Sequence, residues 1–268
     1  MYINAYFQGD LLIGADGAFS KVRAQMARGR FDYQQHYIPH GYKELVMKAV
    51  DGKPGIHRMA KNYLHIWPRH QFMLIALPNL DGSFTCTLFM PFELFNDLVT
   101  EEDGIKFMKR EFPDAIDIFG EDNLRVQFGP NSLKALPLVT VKCSPHNYDN
   151  SVIVGDASHA VVPFYGQGMN AGMEDVEVLY KIYEENGYDI SKAIEIFGQE
   201  RPKDAHAIAD LALYNYIEMR DLVTSNWFLF RKKIDNILTA MVPSLVKPLY
   251  EMTVFTPSIP YRHDNYDS

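Results

Sequence analysis

The segment Gly155-Asp156-Ala157-Ser158-His159-Ala160-Val161-Val162-Pro163-Phe164-Tyr165-Gly166-Gln167-Gly168-Met169-Asn170-Ala171-Gly172-Met173-Glu174-Asp175 organises the chain around it. It follows the apolar run Ser151-Val152-Ile153-Val154 and leads into a helix-compatible stretch, so a carboxylate sits where a strand ends and a glycine-rich turn where a helix begins. Open α/β sheets bind nucleotide cofactors at such a place. Asp156 is the candidate acceptor for ribose or ribitol hydroxyls, neutral donors that a carboxylate can orient. Gly166, Gly168 and Gly172 permit positive φ or close backbone approach, and the following helix aims unpaired N–H groups at whatever lies over its first turn. A ring that gains negative charge on reduction would be stabilised there. A tight loop followed by a close helix crossing would account for the same glycines.

The segment resembles the second flavin-binding motif of the class A flavoprotein aromatic hydroxylases, which begins with Gly-Asp and carries a Pro followed by Gly-x-Gly-x-Asn. The matching residues are Gly155, Asp156, Pro163, Gly166, Gly168 and Asn170. An Asp-Gly motif of the same family, with an Arg downstream, is similar to Asp16-Gly17 and Arg23. The resemblance implies FAD as cofactor, held by Gly155, Asp156, Pro163, Gly166, Gln167, Gly168, Met169, Asn170 and Ala171, with Asp16, Gly17 and Tyr37 as further contacts. Asp16 would contact the cofactor or brace the pyrophosphate region, although an N-terminal turn carboxylate would look the same.

Composition narrows the classes of partner. With 268 residues, 47% of them apolar, the chain can bury a sizeable core as one large or two small domains. A net charge of -8 argues against a nucleic-acid partner. Cys86 and Cys143 lie far apart without a CxxC pattern and read as reduced, buried thiols. Residues 1–9 lack a charged and apolar secretory leader, and no apolar run approaches the ~18 residues of a membrane span. His40, His57, His65, His70 and His146 show no metal-ligand spacing, so no metal is expected. His159 beside Ser158 invites a nucleophile reading, yet no Gly-x-Ser-x-Gly elbow or partnering acid is evident, and a structural histidine is expected.

Taken in order, the chain predicts a short strand ending at Asp16-Gly17 and a helix from Ser20, its N-cap, to Arg28. A mostly antiparallel sheet follows, with strands near 42–50, 63–67, 72–77 and 83–90. Residues 94–112 read as helix, split at Gly104 and ended by Pro113. Helices are expected at 173–186 and 190–197, then over 203–231 as one or two, and over 232–241, before Pro243, Pro248, Pro257 and Pro260 mark an irregular end. The fold class is therefore α+β with α/β character: an incomplete Rossmann-like FAD-binding domain (1–30 and 146–200), an inserted antiparallel substrate sheet (31–145) and C-terminal helices (201–268).

Further stretches resemble the kynurenine 3-monooxygenase branch of that family. They include Tyr63-Leu64-His65-Ile66-Trp67-Pro68-Arg69, residues 83–92, Tyr214-Asn215-Tyr216-Ile217-Glu218-Met219-Arg220 and Pro248-Leu249-Tyr250. The resemblance implies reduction of FAD by NADPH, capture of O₂ as a flavin hydroperoxide, and 3-hydroxylation of L-kynurenine, a step of tryptophan catabolism towards pyridine nucleotides. Such a substrate needs a polar clamp at one end and a dry aromatic slot at the other. The clamp is assigned to Asn215 and Tyr250, with Glu218 one helical turn from Asn215; Ile75, Leu77, Phe89, Phe164 and Tyr165 would line the slot. No residue is assigned as general acid or base, because oxygen transfer is the cofactor's chemistry. Taken alone, Asn215 reads as a surface helix residue, Tyr250 as a core tyrosine, and Ile75, Leu77 and Phe89 as ordinary sheet core.

Departures from the family are equally specific. This sequence is expected to lack the family's Gly-x-Gly-x-x-Gly strand-helix-strand unit, an Arg and a Tyr of its carboxylate clamp, and its C-terminal anchor to the outer mitochondrial membrane. The chain is expected to expose an apolar face where that unit packs, to aggregate readily, and to have no membrane span of its own, which leaves the cytoplasm as an expected location. A non-catalytic binding protein and a hydroxylase of another aromatic acid are the competing readings.

Overall fold

The computed structural model describes residues 8–51, 53–130, 132, 134–220 and 260–263. In chain order these form β1 (Leu12–Gly14), α1 (Lys21–Met26), β2 (Asp32–Met47), β3 (His65–Arg69), β4 (Phe72–Pro78) and β5 (Phe84–Pro91). Four short helices follow: α2 (Phe92–Asn96), α3 (Glu101–Glu111), α4 (Pro113–Phe119) and α5 (Glu121–Phe128). Then come β6 (Leu136–Ser144), β7 (Asn147–Tyr148), β8 (Ser151–Ile153), α6 (Asp156–His159), a 3₁₀ turn at Pro163–Tyr165, α7 (Gly168–Glu185) and α8 (Ile190–Arg220). Among the described residues the strands form a sheet of order β1-β8-β7 and another of order β3-β4-β5-β2-β6. The described chain divides into two compact units, the first from 8–36, 139–216 and 260–263, the second from 37–138 and 217–220. The chain enters the second unit within β2 and leaves it within β6.

In the second unit, strand alternation assigns side chains to two faces. Leu45 and Met47 of β2, Leu74 and Ala76 of β4, and Phe84, Cys86, Leu88 and Met90 of β5 are buried against Ile105, Phe107, Met108, Phe112, Ile116, Leu124 and Phe128 of the helical side. Each such Leu, Ile, Met or Phe side chain removed from water contributes roughly 1.5–3 kcal/mol. Gly104, expected to split the helix, instead lies inside α3, where a Cβ would come within 2.3 Å of the Phe128 ring. The break falls earlier, at residues 97–100, where Thr100 and Asp103 form a reciprocal capping box that starts α3. Pro113 ends that helix as expected and opens α4, an element absent from the sequence reading, with α5 after it.

In the first unit, β1 pairs in parallel with β8, Leu12 opposite Ser151 and Gly14 opposite Ile153. Ser20 caps α1 as predicted, its hydroxyl accepting from the Arg23 N–H at 2.9 Å. The helix expected from Met173 begins at Gly168. The helices expected at 190–197 and 203–231 are joined through Pro202 into α8. Proline cannot donate to the carbonyl four residues back. Here the Gly198 carbonyl accepts from the His146 N–H instead, at 3.0 Å. Gly198 itself fits under Asn147, whose Oδ1 would lie 1.9 Å from an added Cβ. The lost helical bond is thus replaced by one from the loop before β7. Residues 221–259, including the rest of that predicted helix, the one at 232–241 and Tyr250, lie outside the described residues.

Apolar surface is exposed in the first unit on Leu12 and Ile13 of β1 and along Met169, Met173, Val176 and Tyr180 of α7. No described helix is long and apolar enough to cross a membrane. Cys86 and Cys143 are free and buried, and burial pushes both thiols up to about 12.

Gly198→Ala is expected to destabilise the protein by about 1–3 kcal/mol through overpacking on Asn147. Chemical denaturation of Gly198→Ala with and without Asn147→Ala checks this, since removing the opposing amide should restore part of the loss.

Candidate functional site

The site begins at the carboxyl edge of the β1-β8 pair. Because the two strands run parallel in register, the Ala15-Asp16-Gly17 turn and the Gly155-Asp156 turn leave the sheet at the same edge. Arg23 joins them: its Nη1 donates to the Ala157 carbonyl at 2.6 Å and its Nη2 to the Ala18 carbonyl at 2.6 Å, and the guanidinium lies 4.9 Å from the Tyr33 ring centre. The Asp-Gly and Gly-Asp motifs are therefore one structural unit, with the buried arginine of the first acting on the second.

Gly155 has φ 59° and ψ −145°, backbone that only glycine adopts readily. Nothing lies within 4 Å of a Cβ built there, so the requirement for glycine is conformational. Its carbonyl accepts from the N–H groups of Ser158 and His159. Its own N–H donates to Asp175 Oδ2 at 2.7 Å. This geometry turns the chain sharply out of β8 and leaves Asp156 exposed at the start of α6.

Asp175 is fully buried in α7 and accepts from three places. Besides the Gly155 N–H, its carboxylate binds His159 Nε2 at 2.6 Å and Arg201 Nε at 2.6 Å. Arg201 also donates to the Ala171 carbonyl and pairs with Glu174. Burial alone would raise the Asp175 carboxyl, but His159, Arg201 and the Gly155 N–H outweigh it and hold the group below its ordinary value. The acid absent from the sequence reading of His159 is thus Asp175. The Ser158 hydroxyl bonds to the Gly155 carbonyl at 2.9 Å while His159 Nε2 goes to Asp175, so a serine–histidine nucleophile does not form. Asp175 sits in the inward row of α7 with Ala171, Val178 and Ile182. A carboxylate at an apolar-row position was the signal that would have found it.

Around this brace, the remaining motif residues take distinct positions. Pro163, Gly166, Met169 and Asn170 are exposed, Gly168 is half-buried, and Gln167 and Ala171 are buried. Gly166 takes a left-handed conformation facing open space. The Asn170 amide donates to Gln167 Oε1. Gly172 lies against Gly155, a Cβ there coming within 3.4 Å of the Gly155 Cα, so the first turns of α7 abut the Gly155-Asp156 turn. An exposed carboxylate thus stands beside an accessible helix N-terminus and a bare glycine backbone, an arrangement that fits the polyhydroxyl chain and electron-poor ring of a flavin. Asp16 is the bracing alternative: Oδ1 accepts from the Ser20 hydroxyl at 2.5 Å, and Oδ2 from the N–H groups of Lys21 and Val22 at 2.6 and 3.2 Å. Burial acts to raise its carboxyl, and these bonds together hold it below the ordinary value. Gly17 has φ 82° in the same turn.

The residues expected to meet substrate are divided among the elements. In the first unit, Phe164 and Tyr165 are buried, Phe164 stacks on Tyr216 with ring centres 4.1 Å apart, and the buried Asn215 amide donates to the Phe164 carbonyl at 2.7 Å. Asn215 is therefore not the surface residue its sequence position alone suggests. In the second unit, Ile75 and Leu77 lie on the sheet face opposite the helices, where Leu77 is 47% exposed while Leu74 and Ala76 are buried. Phe89, paired with Met73 across β4 and β5, lies on the same face. That unit's core does not account for Ile75 and Leu77. Tyr37 is exposed in β2, Glu218 is half-buried in α8, and Tyr250 lies outside the described residues. Among the described residues no cluster suited to a metal ion occurs.

A sequence profile described as "FAD binding domain" matches residues 5–209, and the chain belongs to that family. It is similar to kynurenine 3-monooxygenase of Sus scrofa, 48% identical over 92% of this chain and 52% of the relative, and to that of Anopheles gambiae, 48% identical over 93% and 51%. The chain spans about half the length of these curated relatives. Among solved structures it resembles Klebsiella pneumoniae HpxO complexed with FAD and uric acid, with TM-score 0.63 and 19% identity over 90% of this chain and 61% of that one. It also resembles 2-methyl-3-hydroxypyridine-5-carboxylic acid oxygenase, with TM-score 0.60 and 19% identity over 77% and 53%. These likenesses show the fold, which is α+β.

The brace has a pH signature. Burial first, then the neighbouring His159, His206 and Arg201, against the opposing pull of Asp175, bring His146 down to about 3. Folded His146 stays neutral where unfolded His146 binds a proton, from its ordinary value of 6.5 downward. The unfolded state then holds more protons, so stability falls as pH drops through that window, by at most about 1.4 kcal/mol per pH unit from this residue. Denaturation midpoints measured between pH 7 and pH 4 should show a shallower acid limb in His146→Phe than in the parent; equal slopes would remove His146 as the cause.

Proposed function

We propose that this member of the FAD-binding family takes part in FAD- and NADPH-dependent 3-hydroxylation of L-kynurenine. The observation that carries it is the braced Gly155-Asp156 turn set against the first turn of α7, in a chain whose curated relatives at 42–48% identity are named kynurenine 3-monooxygenase. FAD, when bound, supplies the redox and oxygen-activating chemistry. Asp156 accepts hydrogen bonds from its sugar-chain hydroxyls. Backbone N–H groups of Gly168, Met169 and Asn170, at the start of α7, would be the donors for negative charge on such a ring.

The chain's other residues bind, orient and keep water out. Within the first unit Phe164 and Tyr165 offer apolar surface suited to an aromatic ring; within the second unit Ile75, Leu77 and Phe89 do so; a dry surface protects an oxygen-transfer step from water. Asn215 and Tyr250 take the substrate carboxylate, with Glu218 positioned to orient the amine. Asn215 is already fixed by its bond to the Phe164 carbonyl, which orients its amide. On this reading NADPH would be the hydride donor and O₂ the co-substrate, and with L-kynurenine as substrate the reaction would belong to tryptophan catabolism, at the outer mitochondrial membrane as the resemblance implies.

Titration of the purified chain with FAD, followed by flavin absorbance, tests this. FAD is expected to bind, L-kynurenine to perturb its spectrum, and Asn215→Ala to weaken the kynurenine response about tenfold or more while leaving FAD affinity unchanged. A chain that retains no FAD, or FAD whose spectrum is indifferent to kynurenine, would overturn the proposal.

A further inference from the structure

A cavity of about 400 Å³ lies wholly within the second unit, on the helix side of its sheet. Lys43 places it there. In β2, Lys43 alternates with Leu45 and Met47 in the row that faces the helices, and it pairs with Leu88 of β5. Phe89, one residue further along, points to the opposite face. The cavity is therefore separated by the thickness of the sheet from the surface of Ile75, Leu77 and Phe89.

The lining has two chemical halves. One is cationic: the Lys43 ammonium, on a residue only 6% exposed, donates to the Ser132 hydroxyl at 3.2 Å, and Lys134 lines the same cavity from an exposed position. The other is apolar and aromatic, made by Phe92 and Phe95 of α2 and Phe128 at the end of α5. The Phe128 ring centre lies 5.6 Å from the Lys43 nitrogen. None of the described lining residues is acidic; Glu101 approaches Gly129 but does not line the cavity. Lysines are seldom placed in core-facing rows, because their charge loses hydration there. Burial accordingly holds the Lys43 ammonium below the ordinary lysine value, a shift that a bound anion would oppose.

We propose that this cavity is a second ligand site, built for a small aromatic or similarly amphipathic carboxylate, whose anionic end meets Lys43, Ser132 and Lys134 while its apolar body lies among Phe92, Phe95 and Phe128. The volume suits a single ring with a short acid-bearing arm, within the range usual for small-molecule pockets. Such a site would sense an organic acid without competing for the surface on the opposite sheet face.

Calorimetric titration of the full chain with benzoate, and with neutral benzamide as its isostere, tests the assignment. Saturable benzoate binding is expected, at least tenfold tighter than that of benzamide, at least tenfold weaker in Lys43→Met and in Lys134→Glu, and unchanged in Asn215→Ala. Lys134 is exposed, so Lys134→Glu decides the matter should Lys43→Met fail to fold. Absent saturation, equal affinity for benzamide, indifference to Lys134→Glu, or loss of binding in Asn215→Ala would each overturn the proposal, the last by placing benzoate elsewhere.

Discussion

The Asp175 carboxylate is the constraint on which the rest of the first unit depends. A buried charge is tolerated only when its partners are in place, and removing one partner of such a pair typically costs about 3–5 kcal/mol. Asp175 takes its donors from three separate elements: the Gly155 N–H at the strand end, His159 in α6 and Arg201 in α8. None of them can move without stranding the charge. The brace therefore fixes the path of the chain at Gly155 and, one residue on, the outward direction of Asp156. Its value lies in specifying that geometry more than in net stability, since an apolar core of equal volume can be as stable.

A second linkage supports the first from behind. Pro202 follows Arg201 directly and removes a helical hydrogen bond, which the His146 N–H replaces at the Gly198 carbonyl. That contact holds the loop before β7 against α8, and the His146 ring lies 6.1 Å from that of His159. The His146 ring thus lies beside the buried set of His159, Asp175 and Arg201. Burial depresses His146, while at the Asp175 carboxyl burial is outweighed by the bond with His159, together with Arg201 and the Gly155 N–H, which lower it, so acid acts against both.

Much of this could be read in the sequence where the signal is local. Ser20 as a cap and Asp156 after a strand each follow from neighbours a few residues away, whereas Ile75 and Leu77, taken alone, read as ordinary sheet core. Long-range partners were not legible. His159 seemed to lack an acid because Asp175 is 16 residues on, and α8 seemed to break at Pro202 because the compensating donor comes from His146. Gly104 looked like a helix break because its close packing on Phe128 is tertiary. The stretch containing α4 and α5 carries no long helical period, because its apolar residues are spread over two short helices. Resemblance to known motifs supplied Asn215 and Glu218; the residues alone pointed to an unremarkable helix surface.

The most direct test is the FAD affinity of Asp175→Asn, measured on protein shown to be folded by circular dichroism. Asp175 is fully buried, and asparagine keeps an acceptor for the Gly155 N–H while removing the charge that holds His159 and Arg201. The account predicts that FAD affinity falls at least tenfold, about 1.4 kcal/mol, although the altered residue is shielded from solvent. A folded Asp175→Asn protein that binds FAD as tightly as the parent would contradict it.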